Sequence, residues 1–585
     1  MSRVASQLRV AAFLLLTAVI ACTARKTPPP DPPPEPSPGT SAETSPAQTA
    51  GTPTAGSTVP WFREDASASG LVFQHISGHR DQHLIPEVIG GGVALFDMDG
   101  DDDLDAYCVQ SGNLRRLDAT EKRNQLFRNH GDGTFDEVSS GSGADVSGYG
   151  IGVASGDYDN DGDLDLFVTN VGPNVLLRND GAGRFTDVTT PTGVGDDGFG
   201  TSAAFVDYDR DGDLDLFVLN YLRWSVATEQ ECRNDSDQPT YCSPASYDRP
   251  ARDVLYRNEE QGTFTDVTAE VGIVTGSGPG LGVVCGDFTG DGTVDVFMAN
   301  DGARDQLWVG HAGGRFIDEA MARGCALDQE GIAKAGMGVT AEDIDDDGDL
   351  DVLICNIERE SDSLFVNEGE YFSDRTARSG LGAVSRTFTR FGMAWVDFDH
   401  DGFFDLYQAN GKVSLQGAPT ENPFAEANLL FRGNAAGRFE EVKPRGGTSP
   451  VLVATSRGAA FGDIDGDGDI DFLVSNRDGP VHLLRNVAPK AGGWLSLAVV
   501  NSRGAPAIGA VVRFRLGERR LTRYVRTAYS YCAANDPTLH VGTGAVDKIT
   551  DVTVEWVDGV VERFPDQRGG QRVTLRRTEL TPSAR

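Results

Sequence analysis

Closely spaced carboxylates are the residues of this sequence with the most specific chemistry. The stretch from Asp157 to Asp165 carries Asp at its first, third, fifth and ninth positions and Gly at its sixth. Alternate carboxylates converge on one ion when the glycine allows a sharp turn. Hard Ca²⁺ takes about six to eight oxygen ligands and accepts such a loop, in which the seventh residue contributes its backbone carbonyl. The stretch therefore predicts a Ca²⁺-binding loop.

The same nine-residue pattern occurs seven times along the chain. Its recurrence every 50 to 80 residues indicates repeated supersecondary units and predicts up to seven structural Ca²⁺ ions. The candidate ligands at positions one, three, five, seven and nine are Asp97, Asp99, Asp101, Asp103 and Asp105; Asp157, Asp159, Asp161, Asp163 and Asp165; Asp207, Asp209, Asp211, Asp213 and Asp215; Asp287, Thr289, Asp291, Thr293 and Asp295; Asp343, Asp345, Asp347, Asp349 and Asp351; Asp397, Asp399, Asp401, Phe403 and Asp405; and Asp463, Asp465, Asp467, Asp469 and Asp471.

These loops differ from EF-hands. An EF-hand loop needs a bidentate Glu at position twelve and flanking helices. Position twelve here is Cys108, Val168, Val218, Met298, Ile354, Gln408 or Val474. Short runs rich in β-branched and aromatic residues follow the loops, as in residues 164–168 and 214–218, and they predict strands. Each loop is expected to join two strands of a hairpin.

Two copies depart from the pattern. Thr289 stands in place of the third-position Asp, so the copy at Asp287 is expected to be the weakest site. Asp102 stands where the first copy should have Gly, and we expect a less favourable turn there.

Two further segments recur in each repeat and predict the fold. One resembles residues 125–129 and the other residues 133–138, and small residues such as 150–154 precede the acidic loops. The small residues suit an innermost strand at a crowded axis. Four antiparallel strands in each of seven units predict an all-β fold, with a seven-bladed β-propeller over residues 61–490. The last unit lacks its final strand, and the spare copy at Trp61 is expected to complete that blade and remove a free edge.

The charge balance limits the classes of partner. The chain has 51 Lys and Arg against 88 Asp and Glu, and its formal net charge is −37. An acidic balance argues against nucleic-acid binding, which needs basic patches. Metal sites account for much of the acidity, but not for all of it.

The first 60 residues are expected to direct and tether the protein. Residues 1–21 combine Arg3 and Arg9 with an apolar run and precede Cys22, which resembles a bacterial lipoprotein signal peptide with lipidation of that Cys. A plain secretory signal is the alternative. Residues 22–60 are rich in Pro and are expected to form a semi-stiff linker. The resemblance implies a bacterial outer-membrane lipoprotein, periplasmic or at the cell surface.

Two other regions stand apart from the repeats. The insert of residues 221–252 holds Cys232 and Cys242, which are expected to form a disulfide in an exported protein. Residues 491–585 lack acidic loops, are richer in Arg and predict a small separate β domain with a hairpin turn at Asp558–Gly559.

The acidic loops with their glycine-rich inner strands resemble FG-GAP/VCBS propeller repeats. The tail resembles the ASPIC/UnbV domain through residues 508–510, 535–537, 539–542 and 554–556. It departs from that pattern at Ala533–Ala534, where a more polar pair is expected. Together these resemblances cover nearly all of residues 61–566 and are those of the cartilage acidic protein family. The UnbV name also hints at a role in a biosynthetic cluster.

Other candidate sites carry less specific signals. His75, His79 and His83 are spaced four residues apart, but Gly78 interrupts them and an ordinary loop is expected. His540 is expected to make a structural hydrogen bond. The sequence has no Gly-x-Ser-x-Gly motif, and no catalytic residue is predicted.

Two functions fit these observations. The first is a Ca²⁺-stabilised cell-surface binding or scaffold protein, which recognises a protein or glycan ligand on the face opposite the metal loops. The alternative is a Ca²⁺-dependent carbohydrate-active enzyme, a lyase or hydrolase, because propellers host such activities and fold alone does not decide function. A deep pocket with a titratable group not used by Ca²⁺ would favour the enzyme.

Overall fold

The computed structural model describes residues 59–115, 123–247, 249–259, 262–273, 278–414 and 422–578. The expected signal peptide, Cys22 and the linker up to residue 58 lie outside the described residues. Within those ranges, the helices are all too short or too polar to cross a membrane.

Strands dominate the described part of the chain. In chain order they are β1 (Phe62–Glu64), β2 (Val93–Phe96), β3 (Asp105–Cys108), β4 (Gln125–Asn129), β5 (Phe135–Glu137), β6 (Gly150–Gly156), β7 (Asp165–Asn170), β8 (Val175–Asn179), β9 (Phe185–Asp187), β10 (Gly200–Val206), β11 (Asp215–Asn220), β12 (Cys232–Arg233), β13 (Pro239–Thr240), β14 (Val254–Glu259), β15 (Thr263–Asp266), β16 (Gly280–Gly286), β17 (Asp295–Asn300), β18 (Gln306–His311), β19 (Arg315–Asp318), β20 (Gly336–Glu342), β21 (Asp351–Asn356), β22 (Ser363–Asn367), β23 (Phe372–Asp374), β24 (Arg390–Val396), β25 (Asp405–Asn410), β26 (Glu426–Ala427), β27 (Leu429–Arg432), β28 (Glu440–Glu441), β29 (Val453–Ala454), β30 (Ser456–Gly462), β31 (Asp471–Asn476), β32 (His482–Asn486), β33 (Gly493–Val500), β34 (Val511–Leu516), β35 (Arg519–Tyr524), β36 (Ala533–Ala534), β37 (Leu539–Gly544), β38 (Lys548–Glu555), β39 (Val561–Arg563), β40 (Gln567–Arg568) and β41 (Arg572–Arg576). Short α-helices are α1 (Thr189–Thr192), α2 (Ala320–Arg323), α3 (Thr376–Ser379) and α4 (Leu381–Ser385), and short 3-10 helices are Ile85–Val88, Val226–Thr228, Pro244–Ser246 and Arg445–Gly447.

Seven antiparallel sheets among the described residues form the blades of the predicted propeller. From the inner to the outer strand, blade 1 is β2-β3-β4-β5, blade 2 is β6-β7-β8-β9, blade 3 is β10-β11-β14-β15, blade 4 is β16-β17-β18-β19, blade 5 is β20-β21-β22-β23, blade 6 is β24-β25-β27-β28 and blade 7 is β30-β31-β32-β1. Every acidic loop joins the first and second strands of its blade, so the loops lie at one end of the ring.

The ring closes as the count of repeats predicts. Strand β1 pairs antiparallel with β32, with Phe62 opposite Asn486, and so supplies the outer strand of blade 7. The inner strands contact one another in ring order, and the inner strand of blade 7 contacts that of blade 1. Crowding at the axis explains the small residues. A Cβ at Gly338 would lie 2.0 Å from the carbonyl oxygen of Phe391 in the next blade.

Asparagines on third strands join neighbouring blades. Asn179 Nδ2 in blade 2 donates to the Met98 carbonyl oxygen in blade 1 at 2.8 Å, and Asn129 Nδ2 in blade 1 donates to the Ile464 carbonyl oxygen in blade 7 at 2.8 Å. Each of these asparagines also donates to a carbonyl of its own acidic loop. One side chain therefore fixes the loop of its own blade against the loop of the preceding blade.

The C-terminal strands form two further sheets that pack face to face. One has the order β37-β33-β41 and the other β35-β34-β38-β39, and their inner faces enclose an apolar core that includes Leu497, Phe514 and Val554. The alternation of Val512, Phe514 and Leu516 with exposed or half-exposed arginines is typical of a sheet with one buried face.

A segment of the C-terminal region enters the centre of the propeller. Strand β36 pairs parallel with the inner strand of blade 1, with Val93 opposite Ala533. Ser530 exchanges backbone hydrogen bonds with Val339 of blade 5, at 3.0 and 2.8 Å. Residues 526–536 therefore fill the axis, and Ala533–Ala534 fit there because small side chains suit the crowded inner strands.

Candidate metal centres

The second acidic loop shows how the backbone gathers carboxylates. Asp157 accepts hydrogen bonds from the backbone N–H groups of Asp161 and Gly162, each at 3.1 Å. Gly162 has a φ of 106°, which glycine adopts without a steric penalty. The loop therefore wraps around the first carboxylate. Oxygen atoms of Asp157, Asp159 and Asp165 lie within 4.8 Å of one another.

Other copies share this geometry. The N–H group at position six donates to the first Asp in the copies that begin at Asp97, Asp207, Asp287, Asp397 and Asp463. In every copy the N–H group at position seven donates to the carboxylate at position five. The side chain at position seven takes no part in that bond, which is why Thr and Phe are accepted there.

The first copy contains the turn that the sequence marks as unfavourable. Asp102 has a φ of 70°, in the left-handed region, and its N–H group donates to Asp97 Oδ2 at 3.0 Å. Asp is one of the few residues other than glycine that enter this region, because its short side chain bonds locally. The copy therefore keeps the loop shape in spite of the missing glycine.

The ninth-position Asp ties each loop to the third strand of its blade. Asp215 Oδ2 accepts from Tyr208 N at 3.0 Å, and Asp215 Oδ1 accepts from Asn258 N at 2.8 Å. Equivalent bonds to third strands are made by Asp105, Asp165, Asp295, Asp351 and Asp471. Asp405 makes the same bond to Gly433, the residue directly after β27. A cation held by the first and ninth carboxylates would link three strands of one blade.

Burial disfavours the ionised form of these carboxylates. Desolvation raises the pKa of Asp215 to about 9 and that of Asp351 to about 8, against the usual Asp value of about 4. The first-position Asp397 also has a pKa raised to about 8 by desolvation, and the neighbouring Asp401 and Asp399 add to the shift. A bound cation reverses this balance because it stabilises the ionised form.

Several loop carboxylates have a buried oxygen without a protein partner. These oxygens are Asp99 Oδ1, Asp159 Oδ1, Asp343 Oδ1, Asp343 Oδ2, Asp399 Oδ1, Asp463 Oδ1 and Asp465 Oδ1. A buried acceptor with no partner costs about 1–3 kcal/mol, and more when it is charged. The donor set consists of oxygens alone, which suits hard Ca²⁺. The residues therefore fit the metal that the loop pattern predicts.

The structure brings the predicted ligands together in most loops. The groups whose carboxylate oxygens lie within 4.8 Å of one another include Asp97, Asp99 and Asp101; Asp157, Asp159 and Asp165; Asp207, Asp209 and Asp215; Asp343, Asp345 and Asp347; and Asp397, Asp399 and Asp405.

The copy at Asp287 differs from the other loops in its hydrogen bonds. Thr289 Oγ1 donates to Asp287 Oδ1 at 3.4 Å, and Thr293 Oγ1 donates to Asp291 Oδ1 at 2.5 Å. In this loop Thr hydroxyl groups therefore donate hydrogen bonds to Asp287 and Asp291. In the other loops, Asp carboxylates lie beside one another instead. This loop has fewer charges to offer a cation.

Arginines on third strands were not predicted as parts of these sites. Arg128 NH2 lies 2.9 Å from Asp99 Oδ2, and Arg432 NH2 lies 2.6 Å from Asp399 Oδ2. Arg485 NH1 lies 2.8 Å from the ninth-position Asp471 and is also paired with Asp465. The signal was present, because Arg recurs near the end of the repeated third strand, followed by Asn after Arg128 and Arg485 and by Gly after Arg432. In the last loop the Arg485 guanidinium thus pairs with two of the predicted ligands, Asp465 and Asp471.

The C-terminal region packs against the rim that carries the acidic loops. Arg519 Nε lies 2.6 Å from Asp346 Oδ2, and its guanidinium stacks on Phe403 at 4.4 Å. Arg572 NH2 lies 3.2 Å from Asp102 Oδ1. His540 Nε2 is hydrogen-bonded to the Gly468 carbonyl oxygen at 2.9 Å, which agrees with the structural role expected of it.

The opposite end of the ring is filled by the insert and the loop that precedes blade 1. Cys232 and Cys242 form a disulfide with a Cα–Cα distance of 5.2 Å. Tyr241 of the insert donates to Glu87 Oε2 at 2.9 Å, and His79 Nδ1 lies 2.6 Å from the same oxygen. His75 instead bonds to Ser111, so the three histidines do not converge on one point.

Comparison with known proteins assigns the two regions. Residues 501–582 match the family described as ASPIC and UnbV, and residues 97–168, 157–218, 245–298, 287–354 and 343–407 match the FG-GAP-like repeat. The chain is a protein of FG-GAP-like repeats that carries an ASPIC and UnbV domain, a combination that points to a binding or scaffold protein.

The curated relatives share one name. Cartilage acidic protein 1 of Xenopus tropicalis is 25% identical over 310 residues, which cover 51% of this chain and 44% of the relative. The Homo sapiens protein of that name is 24% identical over 303 residues, 50% of this chain and 43% of the relative. The chain thus matches less than half the length of these relatives.

Solved structures show lower similarity. A lectin of Agrocybe aegerita that recognises non-reducing terminal N-acetylglucosamine has a TM-score of 0.36 at 15% identity, covering 67% of this chain and 86% of that one. BBS1N, solved in complex with ARL6DN, has a TM-score of 0.35 at 10% identity, covering 73% of this chain and 97% of that one.

Proposed function

We propose that this protein is an exported, Ca²⁺-stabilised binding or scaffold protein that recognises a protein or glycan ligand. The observation that carries the calcium part is the set of buried, unpartnered carboxylate oxygens repeated at one rim of the propeller. Each ion would be held by the first, third, fifth and ninth residues of its loop, with the carbonyl of the seventh. It would supply positive charge that holds three strands of one blade together, which is a structural role and not a catalytic one.

The binding part rests on how the axis is filled. Residues 526–536 occupy the centre from the acidic-loop end, and Tyr531, with 0% of its surface exposed, packs edge-on against Phe391 with ring centroids 4.8 Å apart. From the other end, Ile85 and Tyr241 belong to the same central apolar cluster. A filled axis favours recognition on an outer surface over chemistry in a deep axial pocket.

The face opposite the acidic loops is the ligand surface that we favour. Arg477 lies between aromatic rings there, with its guanidinium 5.1 Å from the Tyr241 ring and 4.7 Å from the Phe424 ring. The disulfide-closed insert holds Tyr241 in place. Arg477 and Tyr241 are themselves buried, with 4% and 6% of their surfaces exposed, so they support this face from beneath and a ligand would bind above them. The titratable groups Glu87 and His79 are bonded to each other, so the enzymatic alternative receives no specific support from this face.

The proposed location follows from the first residues of the sequence. Lipidation of Cys22 would anchor the chain to a bacterial outer membrane, and the Pro-rich linker of residues 22–60 would hold the propeller away from the lipid. A disulfide in the insert is compatible with such an oxidising compartment.

Replacing two carboxylates of one loop tests the structural role of calcium. In Ca²⁺, we expect Asp159→Ala/Asp161→Ala to lower the melting temperature by a few degrees, because a site filled at 100 times its Kd contributes about 2.7 kcal/mol. In a chelator, the variant should melt at or above the wild-type temperature, since the change removes charges that repel one another. Differential scanning calorimetry with and without Ca²⁺ provides the measurement.

The control for this experiment removes the same charge elsewhere. Asp197 and Asp235 are exposed and make no side-chain hydrogen bond within the described ranges, so Asp197→Ala/Asp235→Ala should change neither melting temperature. An equal loss of stability for the loop variant in Ca²⁺ and in chelator would show that no structural ion occupies the loop.

A further inference from the structure

A basic groove lies between the C-terminal region and the fifth acidic loop. It has a volume of about 470 Å³, and its walls are Asp346, Asp347 and Gly348 on one side and the outer face of the β35-β34-β38-β39 sheet on the other. One wall includes Asp347, a candidate ligand of the fifth acidic loop, whereas the sheet wall presents arginines.

Strand alternation places four arginines on that outer face. Arg513 and Arg515 lie between the buried Val512, Phe514 and Leu516 of β34 and therefore face away from the core. Across the sheet, Arg520 of β35 is directly opposite Arg515. Thr553 of β38 is opposite Arg513 of β34 on one side and opposite Arg563 of β39 on the other. The three residues therefore form one row across the sheet.

This arrangement concentrates positive charge at a cost in stability. Like charges directly opposite in a sheet destabilise it, and Arg515 and Arg520 form such a pair. The region is basic in an otherwise acidic chain, since residues 491–585 hold 14 Lys and Arg against 9 Asp and Glu. Positive charge that the fold does not need is most simply explained by a ligand.

Two of the four arginines lack a carboxylate partner. Arg513 lies 2.5 Å from Glu555, and Arg515 lies 3.2 Å from Asp551. For Arg520 and Arg563, the described residues provide neither an ion pair nor a side-chain hydrogen bond. Their exposed guanidinium groups are therefore open to a ligand that enters the groove.

The chemistry of the groove selects the class of ligand. A guanidinium donates two parallel hydrogen bonds to a sulfate, phosphate or carboxylate group. The arginines are spread over strands that lie about 4.8 Å apart, so one small ion cannot contact all of them. The aromatic residue in the lining, Phe514, is buried with 2% exposure and offers no surface on which a nucleic-acid base would stack.

We propose that this groove binds a polysaccharide that carries oxyanions, either sulfate groups or uronate carboxylates. Arg520 and Arg563 are the principal contacts. Arg513 and Arg515, each held by one carboxylate, extend the positive surface between them. The site is separate from the ligand surface proposed for the opposite face.

Binding to defined polymers tests the proposal. The purified protein would be titrated by isothermal calorimetry with dextran sulfate, polygalacturonate, neutral dextran and inorganic sulfate at about 0.1 M ionic strength, where the Debye length is about 10 Å. We expect one or both charged polymers to bind and neutral dextran not to bind. For Arg520→Gln/Arg563→Gln we expect binding to be at least about tenfold weaker, because hydrogen bonds between charged groups are lost.

A second double variant separates the groove from general charge. Arg80 and Arg568 are exposed and have no side-chain partner in the described parts of the chain, so Arg80→Gln/Arg568→Gln removes the same charge elsewhere. This control variant should weaken binding less than about twofold. Arg520→Lys/Arg563→Lys should bind with intermediate strength, because Lys keeps the positive charge but cannot donate two parallel hydrogen bonds to one oxyanion. The lysine variant and the control variant should keep the wild-type melting temperature, and Arg520→Gln/Arg563→Gln should keep or raise it because it removes the repulsion between Arg515 and Arg520.

Several outcomes would overturn the proposal. Binding to neither charged polymer would do so, as would equal losses in both glutamine variants. Inorganic sulfate that binds as tightly as the polymers would indicate a site for a single ion. A single-stranded oligodeoxythymidine that binds as tightly as dextran sulfate, and loses affinity equally in Arg520→Gln/Arg563→Gln, would assign the groove to nucleic acid.

Discussion

Tyr531→Ala is expected to destabilise the whole propeller, although Tyr531 belongs to the C-terminal region. Its ring is fully buried at the axis, and its hydroxyl donates to the Ile89 carbonyl oxygen at 2.9 Å. Truncating a buried aromatic residue costs about 3–5 kcal/mol, and the Ile89 carbonyl loses its donor as well. We expect a single unfolding transition, measured by chemical denaturation, with its midpoint shifted to lower denaturant concentration.

Tyr371→Ala is the matched control, because Tyr371 lies on a blade with 55% of its surface exposed. It should change the free energy of unfolding by less than about 0.5 kcal/mol. Equal stabilities of the two variants would contradict the position of residues 526–536 at the axis. Two separate transitions in the wild-type protein would show that the C-terminal region folds independently of the ring.

Removing calcium is expected to change the pH dependence of stability. Without metal, the folded-state pKa of Asp215 is about 9 and that of Asp351 is about 8, both raised by burial. The unfolded value is about 3.9. A raised folded-state pKa contributes stability that is fully present below the unfolded value and is lost as the pH rises through the folded value. The melting temperature in chelator should therefore fall between pH 5 and pH 9, by about 5–10 °C.

Calcium should oppose this trend because it binds the ionised carboxylates. The gain in melting temperature from Ca²⁺ should therefore increase with pH over the same range. Asp215→Asn should make the slope in chelator shallower, since it replaces a titrating group by a neutral isostere, and the exposed-site change Asp235→Asn should not. A melting temperature in chelator that rises steadily towards pH 9 would contradict the buried, uncharged state of these groups.

The parts of the structure that depend on local, repeated sequence could be predicted. The interval between acidic loops and the two recurring strand segments determine four strands per blade. The position of β1 in blade 7 follows from counting the repeats, because only the Trp61 segment is left over. The unusual turn at Asp102 was also visible, since the sixth position requires a positive φ.

Features that depend on contacts between distant residues could not be predicted. Ala533 and Val93 are far apart in the sequence, and no local pattern indicates that they pair. The interblade hydrogen bond from Asn129 to Ile464 also joins two ends of the chain that only ring closure brings together. Arg485 is an intermediate case. The sequence shows that an Arg recurs in the third strands, but it does not show that the Arg485 side chain contacts Asp471.

Calcium content is the measurement that tests the central claim most directly. The purified protein would be dialysed to equilibrium against Ca²⁺, and the bound metal would be counted by elemental analysis before and after treatment with a chelator. The carboxylate groups gathered in at least five loops predict at least five Ca²⁺ ions per chain, and their removal should lower the melting temperature strongly. One bound ion or none at saturating Ca²⁺, with an unchanged melting temperature in chelator, would contradict a propeller stabilised by calcium.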